Sequence, residues 1–175
     1  MPRIDMPAAD EYAPYYGKYV SQLPTGDVLA ALESQAIGTA KLLASTDEAL
    51  GGFRYGEGKW TVKEVIGHLI DCERVFAYRA LRIGRTDATP LAGFDENVYV
   101  PAGRFDRRTL ADLAAELAAV RVTTVMLFRG FDAEAMLRRG TANGQPVSVR
   151  ALAAIVAGHE RHHVTLLRER YGLKG

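Results

Sequence analysis

Four stretches of this sequence repeat apolar residues with a period near 3.6, and almost nothing in it alternates as a half-buried strand would. The first spans about Asp27 to Ala44, with Val28, Leu29, Leu32, Ile37, Leu42 and Leu43 on its apolar positions. The second opens on Thr61 and Glu64, whose spacing suits a capping box, and runs to about Ile83 with Gly84 as its C-cap. The third opens on a similar pair, Thr109 and Asp112, carries Leu110, Leu113, Leu117, Val120, Thr124 and Leu127 on one face, and ends near Gly130. The fourth, about Val149 to Tyr171, has Ser148 as its N-cap. Helices with one apolar stripe must bury it against each other, so the chain is expected to be an all-α four-helix bundle.

The connections carry their own signals. YAPYYGKYVSQLPTG, ahead of the first segment, reads as an irregular arm or short helix. TDATPLAGFDENVYVPAGRFD, between the second and third, is long enough to cross over the bundle, so a simple up-down-up-down order is not required. A turn of helix is expected after Asp132, and Asn143-Gly144 suits a tight hairpin between two very short strands before the last helix. With no repeat or linker-like shift across residues 1–175, one domain is expected.

Several function classes drop out early. A net charge of +1 with no basic run gives no electrostatic reason for nucleic acid or an anionic membrane as partner. The longest apolar run, ALAAIVAG, is too short to span a bilayer. The opening residues hold no apolar signal core, and one cysteine, Cys72, excludes an internal disulfide framework. A cytoplasmic location is the expectation.

Three of the four histidines crowd into GHERHH, and the fourth, His68, lies in GHLIDCER. On a helix turning about 100° per residue, His163 falls about 40° from His159, within the stripe of Leu152, Val156 and Leu166. His162 falls about 60° to the other side, at the stripe edge, which suits a rim residue. His68 lies roughly 70° from the centre of its own stripe, still on the inward half. Three inward imidazoles from two helices can grip one ion. HERHH also matches the zincin HExxH pattern, but Glu160 falls about 100° off the His159 direction and no substantial sheet is expected, so it reads as a helix-face carboxylate. Cys72, one turn after His68, reads as a small core residue able to approach a metal. Asp71 is open between a surface residue, a salt-bridge partner for Arg74 or Arg79, and a carboxylate orienting a ligand imidazole.

KWTVKEVIGHLIDCERVFAYRALRI, PLAGFDENVYV and SVRALAAIVAGHERHHVTLLRERY together resemble the DinB-like family, with its YfiT-like thiol-dependent members. The most specific elements are W-T-x-x-E-x-x-x-H-L and the terminal G-H-x-x-H-H. The resemblance implies up-down-down-up order and a divalent metal held by His68, His159 and His163. Family activities range from transferases using mycothiol, bacillithiol or glutathione to metal-dependent hydrolases.

Three neutral imidazoles leave a coordination position open, as in catalytic sites. Imidazole suits zinc and nickel, with iron and manganese behind them. The expected function is a thiol-dependent S-transferase of detoxification or stress response acting on a small molecule. The alternatives are a metal-dependent hydrolase and a non-catalytic metal-binding bundle, with a homodimer open in each case. Asp71, Arg79 and His162 are the first candidates for supporting or pocket positions, followed by Arg82 and Tyr99.

Overall fold

A computed structural model describes residues 3–174 of the protein. The chain folds as α1 (Gly17–Val20), α2 (Val28–Ala44), α3 (Val62–Gly84), α4 (Glu96–Gly103), α5 (Leu110–Arg129), α6 (Ala133–Leu137), the strands β1 (Arg139–Ala142) and β2 (Gln145–Ser148), and α7 (Val149–Glu169). Short 3₁₀ turns link them. The four long helices form the bundle, with α2 and α3 each packed between α5 and α7.

Cross-helix contacts fix the order. Gln35 reaches the Ala157 carbonyl and Thr39 reaches Glu160, so α2 and α7 run parallel. The start of α2 (Val28, Leu29) clusters with the end of α5 (Val125, Phe128), and the end of α2 (Leu42, Leu43) clusters with the start of α5 (Leu110, Leu113), so α2 and α5 run antiparallel. Gly67 meets Phe105, just before α5, while Gly84 meets Phe131, just after it, so α3 and α5 are parallel. The Tyr171 hydroxyl donates to the Trp60 carbonyl, bringing the end of α7 to the start of α3. The bundle is therefore up-down-down-up.

Most helix starts follow the sequence. Asp27 caps α2, the reciprocal box of Thr61 and Glu64 closes over α3, and Ser148 caps α7. The second box is only half made. Thr109 accepts from the Asp112 amide at 3.1 Å, but the Asp112 carboxylate turns to Arg108. Its side chain is one methylene shorter than glutamate, and a guanidinium competes for it.

Gly84 stays within α3, which ends one residue later than expected. Its missing Cβ leaves room for Phe131, whose ring would stand 2.4 Å from that atom. The long loop holds an unexpected helix, α4, capped by Asp95. Its eight residues include Pro101 and leave Val98 and Tyr99 exposed, so no apolar period announced it. The hairpin turn is as expected: Asn143 and Gly144 both have positive φ, 51° and 71°, the type I′ signature.

The core is split in two. One apolar cluster, around Phe76, Phe128, Leu152 and Ile155, lies toward the hairpin end. The other, around Ile66, Ile70, Leu113 and Leu167, lies toward the opposite end. Between them runs a layer of buried polar side chains. Arg121 grips Glu73 through Nε at 2.8 Å and Nη2 at 2.7 Å, and its Nη1 reaches the Leu32 carbonyl at 3.1 Å. Nη1 also stands 2.6 Å from Glu160, which accepts from Thr39 at 2.5 Å. Every long helix contributes to this network, and replacing a buried pair by a lone charge costs about 3–5 kcal/mol.

Candidate metal centre

The polar layer places the histidines. His68 on α3 and His159 on α7 meet across the antiparallel interface with their Nε2 atoms 3.1 Å apart. His163, one turn along α7, brings its Nε2 within 3.1 Å of the same His159 atom. All three are buried, and the ring centroids of His68 and His163 are 5.0 Å apart.

Such a cluster is hard to satisfy by hydrogen bonding alone. An imidazole nitrogen carries either one proton or one lone pair, so His159 Nε2 cannot bond properly to two neighbouring Nε2 atoms. His163 Nδ1 is also buried without a partner. Donors about 2.1 Å from one ion at near-tetrahedral angles stand about 3.4 Å apart, close to the spacing here. The residues fit a divalent cation.

Cys72 is drawn into the cluster. Its Sγ lies 3.5 Å from His68 Nδ1, and donor atoms of His68, Cys72 and His159 all fall within 4.8 Å of one another. His163 lies outside that mutually close set and touches it at His159, Nε2 to Nε2 at 3.1 Å. The His162 ring stays on the rim, half-buried, with Nδ1 3.4 Å from Gln22 Nε2.

Glycine lets the bundle close over the site. A Cβ on Gly158 would stand 2.3 Å from the Tyr19 carbonyl oxygen, so α1 can lie directly on α7 only because that position has none. The approach sets the Tyr19 ring edge-on to His159, centroids 5.2 Å apart. Trp60 covers His68 at 4.7 Å.

The imidazoles are held neutral. Burial pushes His68 down to about 4, against the pull of the Glu96 carboxylate. Burial and the facing His68 and His162 rings take His163 down to about 3. His159 lies well below the ordinary value for the same reasons, burial first and His163 next. Neutral imidazole is the form that binds metals. Burial, reinforced by Glu96 and Asp71, pushes the Cys72 thiol up, so it is a thiol as it stands.

His68 and His159 open onto a cavity of about 580 Å³. Tyr15, Tyr16 and Tyr19 line it from the N-terminal arm, Cys72, Phe76 and Arg79 from α3, Glu96 from α4, and Asn143 and Gln145 from the hairpin. Arg79 lines this cavity. Asp71 does not: its charged neighbours are Arg74 and Glu116, toward α5, and it makes no ion pair among the described residues. Arg82 pairs with Asp87 and Tyr78, and Tyr99 is exposed against Phe94, so neither lines the cavity. Glu160 is a buried network residue rather than an exposed helix-face carboxylate, because Arg121 and Thr39 compensate it. Glu96 and the tyrosines were missed, since short helices leave no periodic signal; the Asp95 cap was the available clue.

The fold is shared with solved proteins. YfiT from Bacillus subtilis, described as a probable metal-dependent hydrolase with an unusual four-helix bundle topology, superposes with a TM-score of 0.73 at 17% identity, covering 97% of this chain and 95% of that one. A mycothiol-dependent maleylpyruvate isomerase gives 0.66 at 16% identity over 83% of this chain, which spans 61% of that protein. A DinB-like protein from Bacillus subtilis gives 0.58 at 19% identity over 80% of this chain and 85% of its own. No curated protein matches the sequence significantly. The sequence profile of the DinB superfamily matches residues 31–167, a span that runs from within α2 to near the end of α7 and holds every residue of the histidine cluster, and the chain belongs to that superfamily.

Proposed function

We propose that the protein is a metal-dependent enzyme in which His68, His159 and His163 hold a divalent cation, zinc or nickel first, and that it transfers a low-molecular-weight thiol to a small electrophile. The observation that carries this reading is the meeting of the His68 and His159 Nε2 atoms on the wall of an open cavity, with His163 Nε2 3.1 Å from His159 Nε2. A purely structural ion would be sealed among apolar side chains, whereas this cavity carries phenols, a guanidinium, a carboxylate and amides. Bound there, the cation would lower the pKa of a thiol or a water and act as a Lewis acid.

The chain's own groups do the rest. The rings of Tyr19, Trp60 and Phe76 pack around the imidazole end. Glu96 is the one carboxylate lining the cavity among the described residues, and it can take up a proton. The Tyr15 and Tyr19 hydroxyls, 3.5 Å apart, offer hydrogen bonds at the mouth. Hydrolysis is the second reading, favoured by the same open cavity should water rather than a thiol be activated; the YfiT description agrees with it.

The test uses tag-free protein loaded with zinc or nickel. Glutathione, cysteine, coenzyme A, bacillithiol and mycothiol are added in turn and thermal stability is followed. A cognate thiol should raise the transition temperature by mass action, and should be consumed faster with monobromobimane or chlorodinitrobenzene when metal is present. No shift with any thiol, combined with metal-dependent ester or amide cleavage, would establish the hydrolase instead.

A further inference from the structure

Arg79 is only 3% exposed, yet it meets no carboxylate among the described residues. Its one hydrogen bond among the described residues is to the Ala92 carbonyl, 2.7 Å from Nη2. A guanidinium has five N–H donors, and this one lines the cavity. Two aromatic rings lie near it, with Cζ 5.8 Å from the Phe76 centroid and 5.6 Å from that of Phe94. Elsewhere the fold compensates its buried arginine fully, as Arg121 shows with Glu73 and Glu160. A buried, oriented cation left without a counter-ion costs free energy that a bound anion recovers.

We propose that Arg79 is an anchoring site for the carboxylate of a small molecule whose other end reaches the imidazole cluster. The planar fork suits bidentate recognition of a carboxylate, and the bond from Nη2 to the Ala92 carbonyl tethers it. Phe76 links the two ends: its ring touches the Arg79 side and lies 6.1 Å from the His159 ring. With Arg79 Cζ 5.8 Å from the Phe76 ring and that ring 6.1 Å from the His159 ring, the guanidinium stands within about 12 Å of the imidazoles, a span that one small molecule can bridge. Glu96 on the same cavity wall disfavours a second negative group near the imidazole end. The inference rests on the proposed reaction only for the identity of the far end; the anion site stands without it.

The carboxylate could belong to the electrophile or to the thiol, and the test separates them. Isothermal calorimetry on metal-free and zinc-loaded protein compares 4-phenylbutyrate with 4-phenylbutyramide, and glutathione with its diethyl ester. The acid of at least one pair should bind at least tenfold more tightly than its neutral analogue, with or without metal, and the pair that discriminates names the source. Arg79→Met should erase the discrimination and Arg79→Lys should retain part of it, with zinc content unchanged in both. Equal binding of acid and neutral form in both pairs overturns the proposal using wild-type protein alone, whether or not the variants fold. Discrimination that persists in a folded Arg79→Met protein also overturns it. Loss of metal binding with carboxylate selectivity intact would instead remove the metal-dependent reading and leave this site standing.

Discussion

Glu160 follows His159 in sequence, yet its carboxylate turns away from the imidazoles and stands 2.6 Å from Arg121 Nη1 in the bundle core. A general base of the HExxH kind would have to face the same ion as its flanking histidines. Glu160 instead ties α7 to α5 and, through Thr39, to α2. Glu160→Gln should therefore retain full metal stoichiometry while lowering stability. Arg121→Met, which strands two carboxylates, should cost more, about 3–5 kcal/mol. Urea unfolding paired with elemental analysis measures both; loss of turnover in Glu160→Gln with metal and stability intact would restore a catalytic role.

The same geometry divides the three histidines of α7. His159→Ala and His163→Ala should each abolish tight binding of zinc or nickel, because each removes one of the converging Nε2 atoms. His162→Ala should keep it, since that ring faces Gln22 on the rim. Elemental analysis of tag-free variants decides the matter, and equal loss in all three would overturn the assignment. Cys72→Ser tests whether the thiol 3.5 Å from His68 is a ligand: it should leave stoichiometry unchanged, and a fall would add sulfur to the donor set.

How much of this was legible beforehand follows from the length of each element. Helices of 17 to 23 residues advertise their buried faces many times over, so α2, α3, α5 and α7 could be drawn from the sequence with small errors at their ends. The inward set of His68, His159 and His163 followed from the same arithmetic. What failed was everything set by tertiary contact. Arg121 and Glu73 look like ordinary surface charges in a helical pattern, and only their mutual reach across α5 and α3 buries them. Glu96 and Tyr19 come from helices of eight and four residues, too short to carry a period, and reach the cavity through where the arm and the crossover loop dock.

Burial of the imidazoles predicts how metal-free protein responds to acid. In the folded state His68 titrates near 4 and His163 near 3, against 6.5 for the free group. Between those values the unfolded chain binds protons that the native chain does not, so stability is present above the unfolded value and falls as pH drops. Each such imidazole contributes about 1.4 kcal/mol per pH unit across its window. The metal-free protein should therefore lose stability steeply from about pH 6.5 to about pH 4, and His163→Gln should flatten the slope. Denaturant unfolding at a series of pH values reads this directly; a flat profile across that interval would refute buried neutral histidines.

The close approach of α1 to α7 offers a control within the same protein. A Cβ at position 158 would lie 2.3 Å from the Tyr19 carbonyl oxygen and 2.5 Å from its carbon, both backbone atoms that cannot rotate away. Gly158→Ala must therefore push the arm off the bundle, at a cost of about 1–3 kcal/mol, and loosen the tyrosine wall of the cavity. Gly38 sits exposed in the middle of α2, and an added Cβ there meets nothing within 4 Å. Gly38→Ala should stabilise the protein by about 0.5–1 kcal/mol, because alanine loses less chain entropy in a helix. The two substitutions add the same methyl group with opposite expected signs. Urea midpoints give the signs, and limited proteolysis of the segment before Gly17 reports whether the arm has been released. A Gly158→Ala protein as stable as its parent, with the arm still protected, would mean that Tyr19 is not held against the histidine helix.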